Sequence, residues 1–254
     1  MNLKIMKKLF FILLLPFIFI ACQTDQPQKK VLVYTKNGEG YIHDNIQASV
    51  DMLTDLAKEN GIEYVVSDQA SIFTEDQLKD FDALIFSNTN NEAFDTDEQR
   101  LAFRRYIQAG GGFVGIHSAC GSERDWPWFW KMLGGTFVRH CPYQEFTVKV
   151  INQDHPSTSF FTSDWLWEDE GYYLNHLNPG IHVLLAHDMT TIEDSGKDEY
   201  PGVIFGDLFP GAWCQEFDGG RQWYTSYGHH IKHYSDETFR QHVLGGILWT
   251  IDKP

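Results

Sequence analysis

The chain has 254 residues, 43% hydrophobic and 22% charged, and its formal net charge is −15. This length and composition can bury one sizeable core without disulfide bonds, and the acidic balance excludes nucleic acid as a partner and favours a neutral ligand. Three of the four cysteines follow Cys22 without paired spacing, which excludes a zinc finger built from thiolates.

The first 21 residues differ from the rest. Three lysines precede an unbroken apolar run from Leu9 to Ile20, and the small Ala21 comes before Cys22. This pattern predicts a secretory signal peptide over residues 1–21, too short for a stable spanning helix. The junction resembles the lipobox of bacterial lipoproteins, although Phe19 replaces the commoner aliphatic residue. The resemblance implies a lipid on Cys22; the alternative is an ordinary cleaved signal with an incidental cysteine.

After a polar tether over residues 22–30, β-branched runs alternate with helical patterns. The predicted strands are Val31–Thr35, Ile62–Ser67, Ala83–Phe86 and Phe113–Ile116. The predicted helices between them are Asp44–Asn60, Thr74–Asp80 and Thr96–Ala109. This alternation predicts an α/β fold with a mostly parallel sheet covered on both faces, which binds ligands beyond the carboxyl ends of its strands.

A helix over Trp126–Leu133 is followed by strands with little helix between them. These predicted strands are Phe146–Ile151, His182–Ala186, Gly202–Phe205 and Gln222–Ser226. We expect a β-rich antiparallel extension of the sheet, closed by a helix over Asp236–Ile251. Residues 31–254 are therefore predicted to form one domain.

The segment GGGFVGIHSACG, from Gly110 to Gly121, predicts a buried strand that runs directly into a tight turn of small residues. Such an elbow at the carboxyl edge of an α/β sheet exposes one side chain, here that of His117. An imidazole can serve as acid, base or metal ligand near neutral pH, but it replaces a Ser or Cys nucleophile poorly.

Further polar residues follow predicted strands, so we expect them at the same edge of the sheet. They are His43, His140 in GGTFVRH, Asp169 and Glu170 in WEDEGY, and His229 in TSYGHH. Any one of them could be a structural or solvated residue, although the aromatic flanks of WEDEGY favour an inward carboxylate. Asn88, Trp126 and Tyr172 are candidate substrate-binding residues, because amides and aromatic rings bind sugars; core packing is the alternative for Trp126.

Six motifs occur in the order found in the trehalose-utilisation, or ThuA-like, family: TKNGEGYIHDNI, GGFVGIHSA, GGTFVRH, the His155–Pro156 pair, DEGYY and GGRQWYTSYGHH. The chain resembles this family over residues 31–251. The resemblance implies a flavodoxin-like three-layer sandwich similar to class I glutamine amidotransferases, and a role in the use of trehalose or related glycosides, including 3-keto forms. In amidotransferases a cysteine occupies the elbow that here carries His117, so glutaminase chemistry is not expected. Cys141 and Pro142 after His140 depart from the family pattern.

These observations lead to the hypothesis of an envelope enzyme, a lyase or hydrolase, that faces the periplasm or exterior and acts on a sugar. One divalent metal, Zn or Mn, is a candidate cofactor, and no nucleotide cofactor is expected. The candidate metal ligands are His117, His140, Glu170 and His229. A base, His43 or Asp169, would remove a proton beside a sugar carbonyl. In a metal-free alternative, His117 and Glu170 act as base and acid. A second alternative is a lipid-anchored sugar-binding protein without catalysis.

Overall fold

The structure is a computed structural model that describes residues 28–196 and 206–252. The predicted signal peptide, Cys22 and the predicted strand Gly202–Phe205 lie outside the described residues. None of the described helices is long and apolar enough to cross a membrane.

The amino-terminal half alternates strands and helices. The strands are β1 (Lys30–Tyr34), β2 (Glu63–Ser67), β3 (Ala83–Ser87) and β4 (Gly112–Ile116). The helices are α1 (Ile46–Glu59), α2 (Glu75–Leu78), α3 (Asp97–Gln108) and α4 (Pro127–Leu133). Thr96 begins α3 with a capping box, in which its side chain accepts from the Gln99 N–H. The predicted elements of this half are thus present, with ends shifted by one or two residues.

The carboxyl-terminal half is mostly β-structure and ends in one long helix. Its strands are β5 (Thr136–His140), β6 (Gln144–Val150), β7 (Trp165–Asp169), β8 (Tyr172–Asn175), β9 (His182–Asp188), β10 (Leu208–Phe217) and β11 (Gly220–Thr225). Helix α5 covers Glu237–Ile251. Four of these strands, β5, β7, β8 and β10, are not predicted from the sequence.

Within the described residues the main sheet has nine strands in the order β2-β1-β3-β4-β11-β10-β9-β6-β7, and β5 pairs with β8 in a separate sheet. The first five strands in this order are parallel, and the remaining pairs are antiparallel. Helix α1 packs against α5, and α2 against α3, with the sheet between the pairs. All residues of β3 and β4 are buried, as expected for central strands covered on both faces. The predicted α/β sandwich with an antiparallel extension is confirmed.

Candidate functional site

Three histidines follow three parallel strands of the main sheet. His117 comes directly after β4, His43 lies in the loop after β1, and His229 lies four residues after β11. In the register of β4 with β11, Ile116 is opposite Thr225. Both strands therefore end at the same level, and their loops converge at one edge of the sheet.

The elbow at His117 is a left-handed turn. Ile116 still has extended backbone, whereas His117 has φ 51° and begins a short 3-10 turn that ends at Gly121. This conformation is uncommon for a side chain other than glycine and costs on the order of 1–3 kcal/mol, so the surroundings must hold it. The hydroxyl of Tyr224 does so by donating to the His117 carbonyl oxygen at 2.8 Å.

The ring of His117 has a defined tautomer. Its Nδ1 lies 2.8 Å from the backbone carbonyl oxygen of Ser226, which can only accept, so Nδ1 carries the proton. The lone pair is therefore on Nε2, which faces the hydroxyl of Tyr172 at 2.8 Å and His43 Nε2 at 3.2 Å. A histidine that donates one N–H to a backbone carbonyl and directs its other nitrogen to a shared point is typical of a metal ligand.

His43, His117 and His229 form one cluster, the histidine triad. One ring nitrogen from each lies within 4.8 Å of the others. Two nitrogens of a tetrahedral zinc site with bonds of about 2.1 Å lie roughly 3.4 Å apart, and the 3.2 Å between His117 Nε2 and His43 Nε2 is close to this. The triad therefore has the ligand type and spacing of a divalent metal site, and three imidazoles favour zinc over manganese.

Burial keeps the triad neutral. Desolvation lowers the pKa of His43 to about 4 and places the pKa of His117 well below its ordinary value. The pKa of His229 is also lowered, first by burial and then by His140. A metal binds the neutral form of an imidazole, so the triad is in the protonation state that can bind a cation at neutral pH.

Glu170 and His140 lie beside the triad. Glu170 Oε2 is 3.2 Å from His229 Nδ1, and Oε1 is 3.4 Å from His140 Nδ1. The first pair is not aligned for a hydrogen bond, which leaves His229 Nδ1 buried without a hydrogen-bond partner in the described part of the chain. Burial raises the pKa of Glu170. The group of converging ring nitrogens thus includes His43, whereas the predicted His140 and Glu170 lie beside this group.

Asp169 is a predicted base, but its side chain does not line the cavity beside the triad. Its side chain is fully buried, and its oxygens accept from Trp167 Nε1 at 2.9 Å, from Glu170 N at 2.8 Å and from Gly228 N at 2.8 Å. The His229 N–H adds a longer contact of 3.4 Å. Burial raises the pKa of Asp169 to about 7, although these donors favour the carboxylate. Asp169 joins the loops that carry Glu170 and His229 and is inaccessible to a substrate.

The Asp169→Asn variant is expected to lose roughly 1–3 kcal/mol of stability. An amide has only one acceptor oxygen, and its NH2 group would face the N–H groups that donate to the carboxylate. The displaced loop should also weaken Zn²⁺ binding by His229. Thermal unfolding and zinc titration measure both effects. Glu168→Gln is the matched control, since Glu168 lies on the same strand and pairs with Lys232 at the surface. Equal melting temperatures for the two variants would contradict this role.

A cavity of about 350 Å³ opens beside the triad, at the lower end of the range for small-molecule sites. Its lining includes the predicted His43, His140, Glu170, Tyr172 and His229. The side chain of His117 is fully buried and does not line the cavity, so the prediction that the elbow exposes it is wrong. Sequence patterns did not indicate its other side chains, which are Tyr41, Asn90, Ser118, Arg124 and Phe137. Tyr41, Ser118 and Phe137 lie within motifs quoted above, so their neighbours in the sequence could have indicated them.

Two predicted substrate-binding residues lie outside this cavity. Trp126 packs its ring near Phe94 and Phe103, at 6.1 and 6.4 Å between ring centroids. Asn88 is fully buried and donates to the hydroxyl of Tyr234 at 2.8 Å. Both side chains support the structure around the elbow, and neither lines the cavity.

Comparisons with known proteins agree with this architecture. The profile of the ThuA family, described as trehalose utilisation, matches residues 30–250. A search among curated proteins found no match.

Solved structures of other proteins have a similar fold. A ThuA-like protein from Bacteroides uniformis is 25% identical with a TM-score of 0.71, and the match covers 92% of this chain and 96% of that one. A ThuA-like protein from Parabacteroides merdae is 16% identical with a TM-score of 0.69, covering 88% and 90%. A GMP synthase protein from Thermoplasma acidophilum shares the fold at 13% identity and a TM-score of 0.51, covering 88% and 96%.

Proposed function

Because the chain belongs to the ThuA, or trehalose utilisation, family, we propose that it is a metal-dependent enzyme that acts on a sugar or glycoside. The observation that carries the proposal is the histidine triad, two of whose members line the cavity, with Glu170 3.2 Å from His229. His43, His117 and His229 would hold one divalent ion, zinc in the first place. When bound, such an ion polarises a carbonyl oxygen or a water molecule.

Glu170 is the general base in this proposal. Burial raises its pKa, which improves a carboxylate as a proton acceptor near neutral pH. It would remove the proton from the carbon beside a sugar carbonyl, as in a 3-keto glycoside. The electron pair of the C–H bond forms a C=C bond, and the bond to the glycosidic oxygen breaks. His140, 3.4 Å from Glu170, is placed to supply the proton that the departing oxygen takes up.

Water attack is the hydrolytic form of the same proposal. Glu170 would then take a proton from water, and the sugar would be cleaved without a double bond. The products distinguish the two forms, because only elimination gives an unsaturated sugar. A sugar-binding protein without catalysis would show a ligand-induced rise in melting temperature but leave the sugar unchanged.

The test is to incubate the zinc-loaded protein with trehalose, other disaccharides and their 3-keto forms, and to follow products by mass spectrometry. We expect turnover that EDTA removes and Zn²⁺ restores. Glu170→Gln should lose turnover but retain zinc, and Glu168→Gln should behave as wild type. Undiminished turnover in the Glu170→Gln variant would remove Glu170 from the mechanism.

Tyr172 should have opposite effects on zinc binding and turnover. Its hydroxyl donates to His117 Nε2, the lone pair that a metal would use, so it competes with the ion. Tyr172→Phe is expected to bind Zn²⁺ about 2–10-fold more tightly, the equivalent of one hydrogen bond, and to turn over more slowly because the cavity loses a donor. Tyr173→Phe is the control, because the neighbouring ring lies under Arg139 instead of the triad. Weaker zinc binding in Tyr172→Phe would contradict the competition.

We also propose that a lipid on Cys22 anchors the protein in the cell envelope, facing the periplasm or exterior. The supporting pattern is the basic and apolar leader that ends in Ala21 and Cys22. Cys22→Ser should release the protein from membrane pellets and abolish labelling with a fatty-acid analogue. Retention of label in this variant would exclude Cys22 as the acceptor.

A further inference from the structure

Within the described residues, one arginine of this acidic chain forms no ion pair with an acidic side chain. All seven arginines lie in the described residues, and six of them form ion pairs with Asp or Glu side chains. These six are Arg100, Arg104, Arg105, Arg139, Arg221 and Arg240. Arg124 forms no ion pair within residues 28–196 and 206–252, and it lines the cavity of the histidine triad. In a chain with 35 acidic and 20 basic residues, an arginine without a carboxylate is available for an anionic ligand.

The guanidinium of Arg124 is held in place by neutral groups. Its Nε donates to the Gly121 carbonyl oxygen at 3.0 Å, and its Nη2 donates to Asn90 Oδ1 at 3.3 Å. The Asn90 amide is itself oriented, because its Nδ2 donates to the Tyr41 carbonyl oxygen at 3.1 Å. The guanidinium carbon also lies 5.5 Å from the centroid of the Phe137 ring.

Within the part of the chain that the structure describes, this arrangement leaves three donors of the guanidinium without a partner. Arginine has five N–H donors, and two of those of Arg124 form hydrogen bonds there. The remaining donors are on the two terminal nitrogens, the edge that binds a carboxylate through two parallel hydrogen bonds. A held guanidinium loses less side-chain entropy on binding than a mobile one does.

Arg124 and two members of the triad, His43 and His229, line the same cavity. The Phe137 ring near Arg124 is 4.6 Å from the Tyr172 ring, and the Tyr172 hydroxyl reaches His117 Nε2 at 2.8 Å. Glu170 already places a carboxylate at the triad, beside His229, whereas Arg124 has no ion-pair partner in the described residues, so Arg124 is the better position for a carboxylate of the ligand. The aromatic pair between these positions suits the flat face of a sugar ring.

We propose that Arg124 binds a carboxylate of the substrate, and that the cavity takes a uronic acid or a glycoside that contains one. This inference rests on the proposed function, because it places a sugar in the same cavity. It replaces the expectation of a neutral ligand, which follows from net charge alone. The negative surface slows the approach of an anion, but the local guanidinium determines which ligand is retained.

The test compares two probes that differ in one group, methyl α-D-glucuronide and methyl α-D-glucoside, by isothermal titration calorimetry on the purified protein. Acetate serves as a carboxylate without a sugar ring. We expect the glucuronide to bind at least about tenfold more tightly than the glucoside, in line with a charged, bidentate hydrogen-bonded pair. Arg124→Gln should remove this preference, and Arg124→Lys should retain a part of it.

Arg104→Gln is the matched control, because Arg104 also packs on an aromatic ring, that of Trp128, but outside the cavity. It should keep the full preference. Equal binding of both probes to the wild type overturns the inference and leaves the proposed sugar chemistry intact. A preference that persists in Arg124→Gln also overturns it, since the carboxylate then binds elsewhere. If neither probe binds, Arg124 has no such role, and turnover of trehalose and 3-keto sugars tests the proposed function separately.

Discussion

Replacing His117 with asparagine is expected to weaken Zn²⁺ or Co²⁺ binding at least about a hundredfold and to abolish turnover, while the fold persists. A change beside a metal ligand already costs about 10–100-fold in affinity, and this substitution removes a ligand itself. Asparagine is chosen because it tolerates the left-handed backbone that His117 adopts at φ 51°. The variant thus removes the imidazole with little change in backbone strain.

His176→Asn is the control for this experiment. His176 also has a positive φ, 54°, but its exposed ring stacks on Trp130 away from the cavity. It should bind Co²⁺ and turn over as wild type does, and the visible absorption of Co²⁺ reports the ligand set directly. If His117→Asn keeps wild-type metal affinity, the triad is not a metal site. If it keeps turnover without metal, the metal-free chemistry of Glu170 is favoured.

Mild acid is expected to unfold the protein, with stability lost mainly between about pH 6.5 and 4. Burial lowers the pKa of several histidines far below the value of about 6.5 in an unfolded chain. The lowered values are about 4 for His43, His155 and His242, and about 3 for His187 and His233. As pH falls below about 6.5, the unfolded chain binds protons that the folded chain does not, so the free energy of unfolding decreases.

The size of this effect exceeds that of an ordinary mutation. One pKa unit corresponds to about 1.4 kcal/mol, so the five buried imidazoles together are of the same order as the roughly 5–15 kcal/mol that stabilises a typical domain. Asp169 and Glu170 act in the opposite direction, because burial raises the pKa of both, that of Asp169 to about 7, but they are two carboxyl groups against five imidazoles. The net effect is still destabilisation in acid.

Urea unfolding between pH 8 and pH 4.5 measures this loss of stability. The midpoint should be nearly constant above about pH 7 and fall steeply below about pH 6.5, with a slope that corresponds to uptake of several protons. His182→Gln, which alters an exposed histidine, should leave the profile unchanged. A midpoint that stays level down to pH 4.5 would show that the buried histidines are not the source of acid sensitivity.

The parallel half of the fold could be predicted from the sequence, and much of the antiparallel half could not. Strands β3 and β4 are short apolar runs between glycine or polar turns, which a local pattern indicates. Strand β7 alternates buried and exposed residues. Its charged end, however, is a pattern that predicts a loop from the sequence, because Glu168 and Asp169 follow each other there. Strands β5 and β8 pair only with each other in the described structure, and no local pattern indicates that pairing.

The site shows the same division. The tight turn at His117 could be predicted from the glycines and small residues around it, but the burial of its ring could not. The partnership of His43 with His117 depends on two loops that converge from strands β1 and β4, 74 positions apart in the chain. Asp169 is of a residue type that can act as a catalytic base, and only its burial among N–H donors shows a structural role. That Arg124 lacks an ion pair in the described residues is known only from the structure, which shows the ion pairs of the other six arginines.

The most direct test of the account is to locate zinc in crystals of the protein by anomalous scattering at the zinc absorption edge. We expect one ion per chain, bound about 2.1 Å from one ring nitrogen each of His43, His117 and His229, with Glu170 beside the open coordination position. An ion held by His140 and Glu170 without His43, or no ion at the triad in zinc-soaked crystals, would contradict it.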